Sequence, residues 1–108
     1  MDICTFWYGP RLREVDRVCL ASMAMTGQRV KLYAFEEIEN LPKSIELHDA
    51  SEILSKDYFY RLDPDFPNIP KHTRVIGQFS DLFRVTLMKK QQGLWLDTDI
   101  YLTKQFHP

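Results

Sequence analysis

Cysteine is scarce in this chain, and charge of one sign is not concentrated anywhere. Cys4 and Cys19 are the only two cysteines. They form no C-x-x-C pair and no zinc-ligand spacing. Both sit in apolar surroundings and read as reduced core residues of a cytoplasmic protein. Lysine and arginine total 14 against 15 aspartates and glutamates, for a formal net charge of −1. The basic residues are scattered, and Lys89-Lys90 is too short a run to attract a polyanion, so no nucleic-acid partner is expected. His48, His72 and His107 have no ligand-like spacing and read as loop or surface positions. No apolar stretch approaches the roughly 20 residues of a membrane span, and residues 1–5 lack the basic start and long apolar run of a signal peptide. Internal repeats and low-complexity segments are absent as well.

What the chain has is enough apolar material for one core. Hydrophobic residues make up 44% of 108, which suits a single domain and argues against disorder. Residues 3–8 form an apolar run closed by Gly9-Pro10, a strand ending in a turn. Residues 12–26 place Val15, Val18, Cys19, Ser22 and Met25 at three- and four-residue spacing, an amphipathic helix stopped by Gly27. Residues 30–35 alternate and are rich in strand formers. Strand, helix and strand in this length make a βαβ unit, with a parallel pair and a right-handed crossover. A third short strand is expected over 45–48, then a short helix through Leu54 capped by Asp49 or Ser51. Residues 56–72 carry Pro64, Pro67 and Pro70 and read as a long irregular loop; Tyr58-Phe59-Tyr60 and Phe66 anchor it to the core, with a lid over a ligand as the alternative. A long helix is expected over 74–92, with the stripe Val75, Ile76, Phe79, Leu82, Phe83, Thr86 and Leu87. Gly93 ends it. Leu94-Trp95-Leu96 then reads as a central strand covered on both faces, and residues 100–102 as a further extended piece.

The chemistry concentrates after that last strand. In extended backbone, Asp97 and Asp99 would project from one face, about 6–7 Å apart at the backbone. Ligands of open α/β sheets bind at the carboxyl ends of the strands. Two neighbouring carboxylates repel each other unless a cation compensates. A hard ion such as Mn²⁺ or Mg²⁺ takes oxygen ligands and would also bridge diphosphate oxygens. A D-x-D pair alone is equally well read as a solvated acidic turn. Asp81 and Arg84, three apart on a helix, read on their own as an exposed ion pair.

The block Ser80-Asp81-Leu82-Phe83-Arg84, followed by Gly93-Leu94-Trp95-Leu96-Asp97-Thr98-Asp99, resembles the sugar-binding D-x-D region of GT-A glycosyltransferases. Within them it looks closest to the capsular-polysaccharide, mannosyltransferase-like and large clostridial toxin group. Their pattern is S-D-h-h-R, a helix, then G-G-h-Y-h-D-h-D, where h is hydrophobic. Residues 3–9 are similar to the family's first strand, which ends h-W-h-G. The resemblance implies a Rossmann-like, mostly parallel α/β sheet with helices on both faces, forming the nucleotide-binding half of a GT-A fold. It implies that Trp7 packs on a nucleobase, that Asp81 and Arg84 contact donor sugar and phosphate, and that Trp95 lies near the nucleotide, although core packing of Trp95 is the simpler reading. It makes Asp97 a ligand of ribose and sugar hydroxyls that shares the metal, and Asp99 the direct ligand of Mn²⁺ or Mg²⁺. The partner would be a nucleoside-diphosphate sugar, a UDP-hexose before GDP-mannose. The sequence departs from the pattern at Gln92-Gly93, where Gly-Gly is usual.

Family catalytic domains are longer than this chain. Residues 1–108 are therefore expected to be one nucleotide-sugar-binding domain, an incomplete catalytic domain prone to self-association through an unpaired strand edge or a newly exposed apolar face. Two rivals stand beside that expectation. One is a non-catalytic fragment or nucleotide-sugar-binding remnant. The other is a haloacid-dehalogenase-type phosphatase, which also places D-x-D after an apolar strand, but which carries Thr or Val where this chain has Tyr101.

Overall fold

A computed structural model describes residues 2–70, 72–90 and 93–103. The expected end of the long helix at Gln92, the Gln92-Gly93 departure and the reading of His107 involve residues outside that set. The element order is β1 (Ile3–Phe6), α1 (Glu14–Met25), β2 (Val30–Ala34), β3 (Glu46–Asp49), α2 (Tyr58–Leu62), α3 (His72–Lys89) and β4 (Leu94–Trp95), with one 3₁₀ turn at Ala50–Glu52. The four strands form one all-parallel sheet in the order β3-β2-β1-β4. β1 therefore has β2 on one side and β4 on the other, and the direction of winding reverses between β1 and β4.

Helices cover both faces, because β1 alternates between them. Ile3 joins Val30, Leu32, Leu20 and Met23 in an aliphatic core under α1. Cys4 and Phe6 join Tyr33, Phe79 and Phe83 in an aromatic core under α3. On α3 the buried positions are Val75, Phe79, Phe83 and Leu87, four residues apart, one ridge down the helix. Leu82, expected in that stripe, is exposed.

Five expectations are corrected. The buried face of α1 is Asp16, Cys19, Leu20, Ser22 and Met23, whereas Val15, Val18 and Met25 are exposed, Met25 by 87%. The apolar spacing on α1 fits two faces, and the face that packs is the one carrying Leu20 and Met23 against β2. Residues 58–62 of the expected loop form α2. It is held by Phe59, whose ring stacks on Phe79 with centroids 3.9 Å apart and on Phe66 at 4.6 Å. β4 is an edge strand of the described sheet, half-buried rather than covered on both faces, and pairs only through Ile3↔Leu94 and Cys4↔Trp95. Residues 100–102 join no strand; the Leu102 amide instead donates to Ser22 Oγ at 2.9 Å. Between β3 and α2, Asp49 accepts from the Ser51 amide and caps a 3₁₀ turn that ends before the expected Leu54.

Gly93 explains how so short a strand docks. Its φ is +140°, and a Cβ there would collide with the Asp2 carbonyl oxygen. Without a side chain at Gly93 the chain passes close enough for the Leu94 amide to donate to Asp2 O at 2.8 Å. Cys4 and Cys19 are both buried thiols. Burial pushes the Cys4 thiol up to about 11, which keeps it protonated at neutral pH and unsuited to nucleophilic chemistry.

Candidate functional site

A cavity of about 430 Å³ opens where the winding reverses, beyond the carboxyl ends of β1 and β4. Open α/β sheets bind their ligands at this switch point. β1 and its extension contribute Thr5, Phe6, Trp7 and Tyr8 to the wall. α3 contributes Thr73, Ile76, Gly77 and Ser80, where the small residues leave the space open. The segment after β4 contributes Trp95, Asp97, Thr98 and Asp99, and Arg13 closes the side next to α1.

The acidic pair is held differently from the extended geometry expected for it. The Ile100 amide donates to Asp97 O at 3.2 Å, so residues 97–100 form a turn. Asp97 and Asp99 are exposed on it, and Thr98 between them is buried. They share the cavity because the turn folds around Thr98, not because of strand alternation. The Trp95 indole Nε1 donates to Asp97 Oδ1 at 2.8 Å, while the ring packs against Phe83 at 6.3 Å. Trp95 thus joins the aromatic core to the acidic turn.

Thr98 is anchored across the molecule. Its hydroxyl donates to Asp16 Oδ1 at 2.7 Å, a contact spanning 82 residues. Asp16 is fully buried on α1 and also receives both Nε and Nη2 of Arg13, at 2.7 and 3.0 Å. Burial pushes the Asp16 carboxyl up, but the hydrogen bonds from Arg13 and Thr98, with the guanidinium charge, outweigh it and hold the group below its ordinary range. The hydrogen bond Arg13 donates to Asp16, then the charge of Asp16, raises the pKa of Arg13, and Asp99 adds to the rise. The Arg13 guanidinium lies 5.7 Å from the centre of the Trp7 ring. Trp7 is half-buried and donates its indole Nε1 to Arg11 O at 3.0 Å. Asn40 fixes the same loop by exchanging two hydrogen bonds with the Leu12 backbone.

Trp7, Trp95, Asp97 and Asp99 are therefore brought to one cavity. Asp81 and Arg84 are exposed on α3, form no ion pair with each other, and lie outside the cavity lining. Sequence reasoning missed Arg13, Asp16 and Thr5. Asp16 in the first turn of a helix reads as an ordinary dipole-compensating acid, and only its tertiary contact to Thr98 reveals more. The Thr5 hydroxyl is buried at the cavity wall with no hydrogen-bond partner among the described residues; buried hydroxyls of this kind are commonly satisfied by water or a ligand.

Among the described residues no three His, Cys, Asp or Glu side chains form a metal-binding cluster. The cavity's own candidates are the two turn carboxylates, an oxygen-only set that suits a hard ion whose remaining ligands are phosphate oxygens and water. No helix among those residues is long and apolar enough to cross a membrane.

Residues 69–108 match the family model described as capsular polysaccharide synthesis protein. No curated protein and no solved structure matches the chain. The matched segment holds α3, β4 and the acidic turn, so the part of the chain that carries both carboxylates is the part similar to proteins of polysaccharide synthesis.

Proposed function

We propose that this chain forms the donor-binding side of a metal-dependent glycosyltransferase that moves a hexose from a nucleoside-diphosphate sugar to a hydroxyl acceptor in polysaccharide synthesis. The observation that carries the reading is the convergence of Trp7, Asp97 and Asp99 on one switch-point cavity. In this reading the base lies on Trp7 and the sugar hydroxyls meet Asp97. Asp99, with Asp97, would hold Mn²⁺ or Mg²⁺. Such an ion would act as a Lewis acid on the departing diphosphate. Trp95 would position Asp97 through its indole hydrogen bond, while contact of Asp81 and Arg84 with the donor rests on the sequence resemblance alone. UDP-hexose is the favoured donor and GDP-mannose the second.

Calorimetry with UDP-glucose and GDP-mannose, with and without Mn²⁺, tests the proposal. One donor should bind more tightly with Mn²⁺, and Asp99→Asn should remove that increment because it deletes an anionic ligand. Trp7→Phe should keep most of the affinity that Trp7→Ala loses, a difference of about 1 kcal/mol. Equal affinity of wild type and Asp99→Asn in Mn²⁺ would overturn the metal site, and absence of binding by either donor would overturn the donor-site reading.

A further inference from the structure

We infer that Arg13 is the phosphate-holding group of the cavity, kept in place by Asp16; the inference rests on the donor-site reading above and adds to it a residue that neither the acidic motif nor the family match contains. The groups that carry full charge on the lining are Asp97, Asp99 and Arg13. Two carboxylates against one guanidinium leave the wall negative, so a diphosphate would be repelled unless positive charge faces it directly. A divalent ion at the carboxylates would supply part of that charge, and Arg13 is the permanent cation of the described lining.

Geometry then separates Arg13 from an ordinary helix-start ion pair. The salt bridge to Asp16 uses Nε and Nη2, and Nη1 has no acceptor among the described residues. The guanidinium is a planar fork, so a bidentate grip on one edge fixes the direction in which the other donors point. Arg13 is held from behind by a carboxylate that is itself fully buried, yet its side chain remains 62% exposed. It lies 5.7 Å from the centre of the Trp7 ring and within electrostatic reach of Asp99, the two positions that the donor-site reading assigns to the base and the metal. The diphosphate of a nucleotide sugar must span that interval. A charged group pre-oriented in this way contributes without the ordering cost a free surface arginine would meet.

Asp16 has two jobs in this arrangement, since Oδ1 accepts from both Arg13 and Thr98. The group that receives the phosphate and the turn that carries the acidic pair are fastened to one buried carboxylate. A purely structural Arg13 would be satisfied by Asp16 alone and would affect all ligands equally. A phosphate-holding Arg13 discriminates by phosphate count.

The test uses the full chain, wild type and Arg13→Gln, with Arg13→Lys as the variant that keeps charge but loses the fork. Binding of uridine, UMP, UDP and inorganic pyrophosphate is measured in Mg²⁺ at two salt concentrations, with guanosine, GMP and GDP as the parallel series. Arg13→Gln should leave nucleoside affinity unchanged and weaken the diphosphate and pyrophosphate by about tenfold or more, as expected for loss of a charge-assisted contact. It should also flatten the salt dependence of diphosphate binding, and Arg13→Lys should recover part of the loss. Equal effects on nucleoside and diphosphate, or no effect on either, would overturn the phosphate role while leaving the donor-site reading standing. Wild type that binds pyrophosphate through Arg13 but neither nucleotide series would support the phosphate role and overturn the base site. Wild type that binds none of these ligands would overturn both.

Discussion

The two edges of the sheet are closed by opposite means. β3 pairs with β2 over four residues, from Lys31↔Glu46 to Ala34↔Asp49, and ion pairs cluster at the end where that ladder starts. Arg29 grips Glu46 at 2.7 Å and reaches Asp2 at 3.6 Å, while Lys31 reaches Asp2 at 3.2 Å. β4 pairs with β1 over two residues and is held by side-chain tethers: Trp95 against Phe83, Thr98 on Asp16, and the Leu102 amide on Ser22. The edge with the longer ladder carries no candidate site residue, and the edge with the shorter ladder carries the acidic turn. A long ladder fixes backbone position by itself, so side chains beside it are free to be merely soluble. With a two-residue ladder, the position of Asp97 and Asp99 depends on what lies beneath them, and α1 becomes part of the site although it supplies no motif.

The largest effect should come from breaking the β4 edge at its closest approach. Gly93→Ala forces a Cβ against the Asp2 carbonyl at a φ of +140°. Backbone is the obstacle, so no side chain can swing aside. The expected loss exceeds the roughly 1–3 kcal/mol typical of a strained φ alone, read as a lower urea midpoint. Unchanged stability would mean that β4 docks without the close contact.

A smaller effect sharpens the tether argument. Thr98→Val removes the hydroxyl from Asp16 while keeping the shape, and leaving a buried acceptor short of a donor costs about 1–3 kcal/mol. In an Asp16→Asn background the same change should cost less, because the two residues act on one contact; a double-mutant cycle with thermal unfolding measures the coupling. Strict additivity would show that Thr98 is held by something other than Asp16.

Legibility in the sequence follows the same division. β1, α1 and β2 are readable because a βαβ unit is local, and a short apolar strand, an amphipathic helix and a glycine stop each leave a pattern. Gly27 does stop α1, with φ +88°. The parallel sheet with helices on both faces follows from that unit. What is unreadable depends on distant partners. Phe59 holds α2 against α3 by stacking on Phe79, a contact that three nearby prolines disguise as loop. Asp16 is buried inside the packing face of α1 because Arg13 and Thr98 neutralise and bind it, and periodicity assigns acids to the outside. The acidic pair was visible as a motif, but its geometry was not, since a turn organised by Thr98 and an extended strand give the same letters Asp-Thr-Asp.

The smallest effect belongs to the β3 edge, and its sign is set by titration. The hydrogen bond from Arg29 holds the Glu46 carboxyl down at about 2, against an ordinary value of 4.5. A group whose pKa is depressed in the folded state stabilises that state above its unfolded pKa and loses the contribution as pH falls toward the folded value. Glu46 should therefore contribute fully at neutral pH, fade between about pH 4.5 and pH 2, and contribute nothing below that. Glu46→Gln should be slightly less stable than wild type at pH 7, and the two should converge as pH drops through that window. Both partners are exposed, with side chains 58% and 39% accessible, so added salt should shrink the difference at neutral pH. Urea midpoints at several pH values and two salt concentrations give the answer. A Glu46→Gln deficit as large as that of Thr98→Val, or one insensitive to salt, would mean that the β3 edge relies on its charges as heavily as the β4 edge relies on its tethers, and the contrast between the two edges would collapse.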